Sequence, residues 1–181
     1  MNKDEIRRRI RNRKRLITET ERQNAARAVF NALEQTAAFL IAENILIYHS
    51  LPDELHTLDF INKWHTRKRF FLPRVAGVNL ELLPYSPSTL QSGAYGIEEP
   101  SEGTPVDPTA MELIIVPAVA YDRRGNRLGR GKGFYDRLLA ETKATTIGVA
   151  YDFQLVDELP VEPHDTPVKI VITESHRFTS R

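Results

Sequence analysis

The sequence predicts an α/β fold: a single domain over residues 1–181 with a mostly parallel central sheet flanked by helices and an antiparallel excursion. Three observations carry this reading. Short apolar runs at 44–49, 69–73, 113–116, 145–150 and 168–173 read as strands, several of them buried. Segments with helical apolar spacing fall between and before them. Residues 78–82 (Val-Asn-Leu-Glu-Leu) alternate strictly, which fits a half-exposed, antiparallel strand. A chain of 181 residues has the length for one domain with a full core.

Taken in order, residues 3–16 read as a helix. Ile6, Ile10 and Ile17 lie on one side of it, interrupted by Arg13, and Lys3 and Arg7, one turn apart, flank that stripe. Arg8, Arg9, Arg11, Lys14 and Arg15 spread around the remainder, as on a solvated face. Thr18-Glu19-Thr20-Glu21 reads as a capping box. The helix behind it would bury Ala26, Val29, Phe30 and Leu33. After the strand at 44–49 comes Pro52-Asp53-Glu54-Leu55-His56-Thr57, in which Thr57 can cap a helix with Leu58, Ile61 and Trp64 inward. Ligands of open α/β sheets lie at the carboxyl ends of strands, so His49 and Glu54 stand where a site belongs. Each also fits a plainer role, His49 as a packed strand-end residue and Glu54 as a complement to a helix dipole. Residues 85–110 are rich in Ser, Pro, Gly and Glu. A loop of that length is either functional or disordered, and its Tyr95 can stack on a flat heterocycle or merely anchor the surface. Residues 151–158 read as a loop or helical turn, and 160–165 as a rigid polar segment.

The most informative stretch runs from Leu113 to Asp136. An apolar strand ends at Pro117, a polar turn follows at 122–125, and then Gly129, Gly131 and Gly133 alternate with Arg130 and Lys132. Glycine lets backbone approach a ligand closely. Successive N–H groups leading into a helix start form an anion nest, and cations within it imply phosphate. The following helix, 134–140, turns Leu138 and Leu139 to its apolar side. The loop is not a Walker A motif, because Gly133 stands where Ser or Thr would bind magnesium. Nor is it the dinucleotide fingerprint, because Phe134 replaces the third glycine.

Composition narrows the function classes. Formal net charge is +1, so no global field attracts nucleic acid or membrane. Cysteine is absent, which removes disulfides, thiolate metal sites and a cysteine nucleophile. No apolar run approaches membrane-spanning length, and the basic N-terminus lacks the apolar core of a secretory signal. A cytoplasmic, monomeric protein with no nucleic-acid or membrane partner is the expectation. Two other classes stay open on the residues alone: a nucleic-acid-binding module using the Arg-rich N-terminus, and a different phosphate enzyme such as a sugar-phosphate isomerase.

Pro117-x-x-x-Tyr121-Asp122-x-x-Gly125-x-Arg127-Leu128-Gly129-Arg130-Gly131-Lys132-Gly133-Phe134-Tyr135-Asp136 closely resembles the signature of the 5-formyltetrahydrofolate cyclo-ligase family. Other segments agree, so the resemblance covers nearly the whole chain. It implies ATP-dependent cyclisation of 5-formyltetrahydrofolate to 5,10-methenyltetrahydrofolate with release of ADP and phosphate, through a phosphorylated formyl intermediate. It implies that Lys3 and Arg7 contact nucleotide phosphates, together with the segment Arg127, Leu128, Gly129, Arg130, Gly131, Lys132, Gly133, Phe134 and Tyr135, with Arg130 and Lys132 acting catalytically. It places Glu54, Tyr95 and Tyr135 on the folate side, to which the strand-end position alone adds His49, and a magnesium ion (Mg2+) on Asp136 and Asp165.

Overall fold

The computed structural model describes residues 1–92, 98–100 and 103–180, with backbone only at 89–92 and 98–100. The chain opens with α1 (Lys3–Lys14), α2 (Glu19–Glu34) and a short α3 (Ala37–Ile41). Strand β1 (Asn44–Leu46), α4 (Leu58–Trp64) and the hairpin β2 (Arg69–Ala76) and β3 (Asn79–Pro84) follow. Two short antiparallel strands, β4 (Leu90–Ser92) and β5 (Glu98–Pro100), pair inside the segment read from sequence as loop. Then come β6 (Leu113–Val116), a hairpin of two-residue strands, β7 (Ala120–Tyr121) and β8 (Arg127–Leu128), and α5 (Phe134–Glu141). Strands β9 (Thr145–Val149), β10 (Ile170–Ile172) and β11 (Arg177–Thr179) complete the order.

Seven strands form one sheet in the order β11-β10-β9-β6-β1-β2-β3. The five inner strands are parallel, and β3 and β11 close the edges antiparallel. The expected excursion is therefore β3, which pairs with β2 from Phe71–Pro84 to Ala76–Asn79. Pro73 sits within β2, although proline cannot donate to a ladder. It is tolerated because β1 pairs with β2 only as far as Leu46–Phe71, with one further bond from the Ile47 N–H to the Phe71 carbonyl.

The pleat sorts the core into two layers. Ile45, Ile47, Leu113, Ile115, Ile147 and Val149 face α2, α3 and α4, where Phe30, Phe39 and Phe60 pack together. Leu46, Ile114, Val116 and Val171 face the other way, toward Leu138 and Leu139 of α5. Helix α1 belongs to neither layer: Ile6 and Ile10 pack on Ala120 and Leu128 of the β7–β8 hairpin and on Leu159.

Gly148, in the middle of β9, leaves room for the fully buried ring of Tyr121, whose hydroxyl donates to the Val116 carbonyl at 2.6 Å. A Cβ at 148 would overlap Tyr121 Cζ. Gly148→Ala should therefore destabilise the fold by about 3 kcal/mol, the upper end of ordinary overpacking, because the ring has nowhere to move. A urea midpoint equal to that of the unaltered protein would refute this.

Several local expectations need correction. Helix α1 stops two residues short of the predicted end, and the full capping box belongs to it: Asn2 and Glu5 exchange side-chain and backbone bonds at 2.9 Å each. At α2, Thr18 caps the Glu21 N–H, but the Glu21 carboxylate meets the Thr18 hydroxyl instead of the Thr18 backbone. Ala25, more than Ala26, fills that helix's buried face. Thr57 makes no cap bond. Its hydroxyl donates to the Tyr48 carbonyl and accepts from the Ser50 N–H, stitching the loop after β1. Phe60 and Ile61 turn inward from α4, whereas Leu58 is exposed.

Candidate active site

Strand order reverses between β1 and β6: from β1 the chain moves outward to β2 and β3, then returns to the opposite side of β1. A cavity of about 520 Å³ opens at the carboxyl ends of these strands, where a switch-point ligand site is expected. Every sequence-predicted site residue among the described residues lines it. Tyr95 lies outside the described residues.

The glycine loop forms one rim. Gly131 (φ 102°) and Gly133 (φ 73°) have left-handed backbones that other residues rarely adopt, and Gly133 is the N-cap of α5. Gly129 serves a different purpose: a Cβ there would stand 3.0 Å from the Arg127 guanidinium. Arg127 is held beneath the loop. Its Nε donates to the Pro117 carbonyl at 3.0 Å, its Nη1 lies 3.7 Å from Asp136 Oδ1, and its guanidinium covers the Tyr135 ring at 5.1 Å. With a side chain only 8% exposed, Arg127 is a buried charge whose partner is Asp136. Leu128 touches the cavity, but it is buried among the apolar residues beneath α1.

Helix α1 carries two cations to the same rim. Arg7 Nε donates to the Gly129 carbonyl at 3.0 Å, and Lys3 Nζ lies 3.5 Å from Glu162 and 3.6 Å from Asp165. The turn after β1 supplies acids. Glu54 accepts from the Leu51 N–H at 2.9 Å, and Arg130 of the glycine loop lies 3.2 Å from Asp53 and 3.9 Å from Glu54. Burial pushes the Glu54 carboxyl above its ordinary range, although the Leu51 N–H and Arg130 pull the other way. Burial acts the same way on Asp53, but there Lys14 and Arg130 prevail and hold its carboxyl below the usual range. Burial, reinforced by the charge of Glu54, also raises the Tyr135 hydroxyl, so it remains a neutral hydrogen-bonding group. His49 lines the cavity behind these residues, and Lys132 stands exposed on the loop.

Asp136 and Asp165 are both in the cavity wall, contributed by α5 and by the segment before β10. Asp136 Oδ1 is buried with no hydrogen-bond partner among the described residues, a condition that a hard cation would relieve. Asp165 Oδ2 accepts from the Glu162 N–H at 2.9 Å. Glu162, His164 and Asp165 bring their ligand atoms within 4.8 Å of one another. Two carboxylates at a cationic cleft fit magnesium with phosphate oxygens.

Sequence reasoning missed the inner apolar wall, made by Tyr48, Leu51, Val75, Leu80 and Val119. Strand periodicity marks such residues only as core candidates, because nothing local distinguishes an apolar residue facing a cavity from one facing a helix. Glu162 and His164 also went unassigned. Their one signal was proximity in sequence to Asp165.

Fold and cleft together define an α/β protein with a cleft at the switch point of its mostly parallel sheet, with cations on the rim and an apolar interior. Over residues 1–174 the chain matches the 5-formyltetrahydrofolate cyclo-ligase family, and it belongs to that family of enzymes. It is 35% identical over 176 residues to the 5-formyltetrahydrofolate cyclo-ligase of Escherichia coli strain K12, covering 92% of this chain and 97% of that protein. Its identity to the Haemophilus influenzae protein of the same name is 32% over 180 residues, covering 92% of this chain and 94% of the other. The NMR structure of Aquifex aeolicus 5,10-methenyltetrahydrofolate synthetase matches with a TM-score of 0.91 at 35% identity, covering 100% of this chain and 94% of that one. A 5,10-methenyltetrahydrofolate synthetase from Mycoplasma pneumoniae, at 22% identity and TM-score 0.80, shares the fold over 96% of this chain and 99% of its own. Among the described residues no helix is long and apolar enough to cross a membrane.

Proposed function

We propose that this protein converts ATP and 5-formyltetrahydrofolate to 5,10-methenyltetrahydrofolate, ADP and phosphate, as a monomeric cytoplasmic enzyme. The observation that carries the reading is one cleft with two unlike halves: a cation-bearing glycine loop at the rim, and an apolar interior containing a raised carboxyl, Glu54. A triphosphate suits the first and a pterin the second.

The formyl oxygen attacks the γ-phosphorus, and the bond to ADP breaks. Nitrogen 10 of the folate then attacks the activated formyl carbon and gives up its proton, the carbon–oxygen bond breaks, and inorganic phosphate leaves. No protein nucleophile takes part, so the residues act by positioning and by charge neutralisation. Arg130 and Lys132, with the loop N–H groups, hold the transferring phosphoryl oxygens, and Lys3 and Arg7 hold the outer phosphates. Arg127 supports the loop from below. Tyr135 lines the pterin side with His49 and Tyr95, and Glu54 hydrogen-bonds the ring. Asp136 and Asp165 hold magnesium, which when bound neutralises phosphate charge.

Mixing the protein with Mg-ATP and 5-formyltetrahydrofolate should generate the methenyl absorbance, and the signal should vanish without ATP. Absence of ATP-dependent product across pH and salt would reject the reading. Within it, Arg7 bonds to the loop while Arg8 is exposed. Arg7→Gln should raise the KM for ATP about tenfold, the worth of one charge-assisted contact. Arg8→Gln should leave it unchanged. Equal effects of the two would assign the helix's charge to a general field.

A further inference from the structure

Arg137 lies in the first turns of α5 and outside the cavity wall. A cation there opposes the helix dipole, so its placement calls for a compensating role. The side chain turns back over the helix start. Its Nε donates to the Val78 carbonyl at 2.8 Å, and its Nη2 donates both to that carbonyl and, at 2.8 Å, to the carbonyl of Lys132. Its guanidinium also lies 5.7 Å from the centre of the Phe134 ring.

The route depends on Gly133. A Cβ at that position would stand 2.6 Å from Arg137 Nη1, so a side chain there would strain the left-handed backbone and also push the guanidinium off this route. One planar fork thus joins two segments distant in sequence: the turn between β2 and β3, and the middle of the glycine loop. Leu80 and Val75, on either side of that turn, belong to the apolar wall of the cleft. A loop with glycine at alternate positions has much conformational freedom to lose, and fixing the Lys132 peptide removes a large part of it.

We propose that Arg137 is a positioning residue: by fixing the Lys132 carbonyl it sets where the Lys132 ammonium enters the cleft. The proposal rests on the reading of Lys132 as a phosphate ligand. Arg137 itself touches neither substrate.

Arg137→Lys retains the charge but lacks the fork that bridges two carbonyls. It should lower kcat about three- to tenfold, as neighbours coupled in this way do in double-mutant cycles. In a Lys132→Met background the same change should cost nothing further, because there is no ammonium left to place. A merely structural role predicts the opposite, equal losses in both backgrounds. Amide hydrogen exchange supplies a readout independent of activity: Arg137→Lys should accelerate exchange at residues 131–134 while the central strands keep their protection. Unchanged exchange at the loop overturns the proposal, and so does a kcat loss that persists in the Lys132→Met background. If the unaltered protein makes no ATP-dependent product, the functional reading fails, and the exchange result still decides whether Arg137 orders the loop. Should Arg137→Lys lower the melting temperature substantially, Arg137→Gln is compared in the same two backgrounds, and additivity again overturns the role.

Discussion

Replacing Asp136 by Asn should abolish nearly all turnover and lower the melting temperature. Two observations predict the double effect. Among the described residues Asp136 Oδ1 has no hydrogen-bond partner although it is buried, and the same atom lies 3.7 Å from the buried Arg127 guanidinium. The amide removes the charge that the proposed magnesium requires and leaves Arg127 uncompensated. Losing one preorganised electrostatic group at a transferring phosphoryl centre costs about a hundredfold or more in kcat. Unpairing a buried ion costs up to roughly 3–5 kcal/mol of stability; Arg127 keeps its bond to Pro117 and its contact with Tyr135, so the lower part of that range applies. Asp165→Asn should impair activity with a smaller change in melting, because the Asp165 carboxylate faces the partly exposed Lys3 and not a buried cation. High magnesium should recover part of the activity of either variant. Normal turnover of both at low magnesium would remove them from the metal site.

Lys132→Met should reduce turnover about ten- to a hundredfold, since one charge-assisted contact is worth roughly 1.5–3 kcal/mol. Charge redistributes among the phosphoryl oxygens during transfer, so a cation there stabilises the transition state more than the bound substrate. Lys132 is exposed on its loop, and methionine preserves most of the stem, so the melt should stay within about 0.5 kcal/mol of the unaltered protein. Steady-state kinetics beside a thermal melt decides the matter: wild-type kcat would take Lys132 out of the site, and a collapsed melt would make it structural.

The inner sheet was legible because its strands are short apolar runs between glycine, proline and polar residues, and β3 declared itself by alternation. Helix α3 was not, since Ala37–Ile41 is a single turn and a half that shows no period, stabilised by the Thr36 cap and by burial of Phe39. Strand β11 escaped for a related reason: Arg177–Thr179 carries little apolar signal and exists by pairing with β10. Thr57 had the spelling of a cap, yet its hydroxyl is taken by Tyr48 and Ser50 across the loop, a tertiary preference that no local rule contains. At the site, the glycine loop stood out because its chemistry is contiguous in sequence. The apolar wall did not, because Tyr48, Val75 and Leu80 meet only in the folded chain. Arg137 went unnoticed because its partners are carbonyl oxygens, which sequence does not distinguish.

The seating of α1 has a consequence for how the molecule opens. Its apolar residues rest on a satellite cluster apart from the two sheet-facing layers, and its Arg7 reaches a loop 122 positions away. Undocking that helix exposes few apolar side chains and breaks no strand pairing, so it is the natural low-energy opening of the fold, well below global unfolding. Each undocking event carries Arg7 and Lys3 away from the rim. An anion bound there favours the docked state by mass action, in proportion to the logarithm of its concentration once saturating. On the proposed function, nucleotide occupancy and protection of the first fourteen residues from proteolysis are then two readings of one equilibrium.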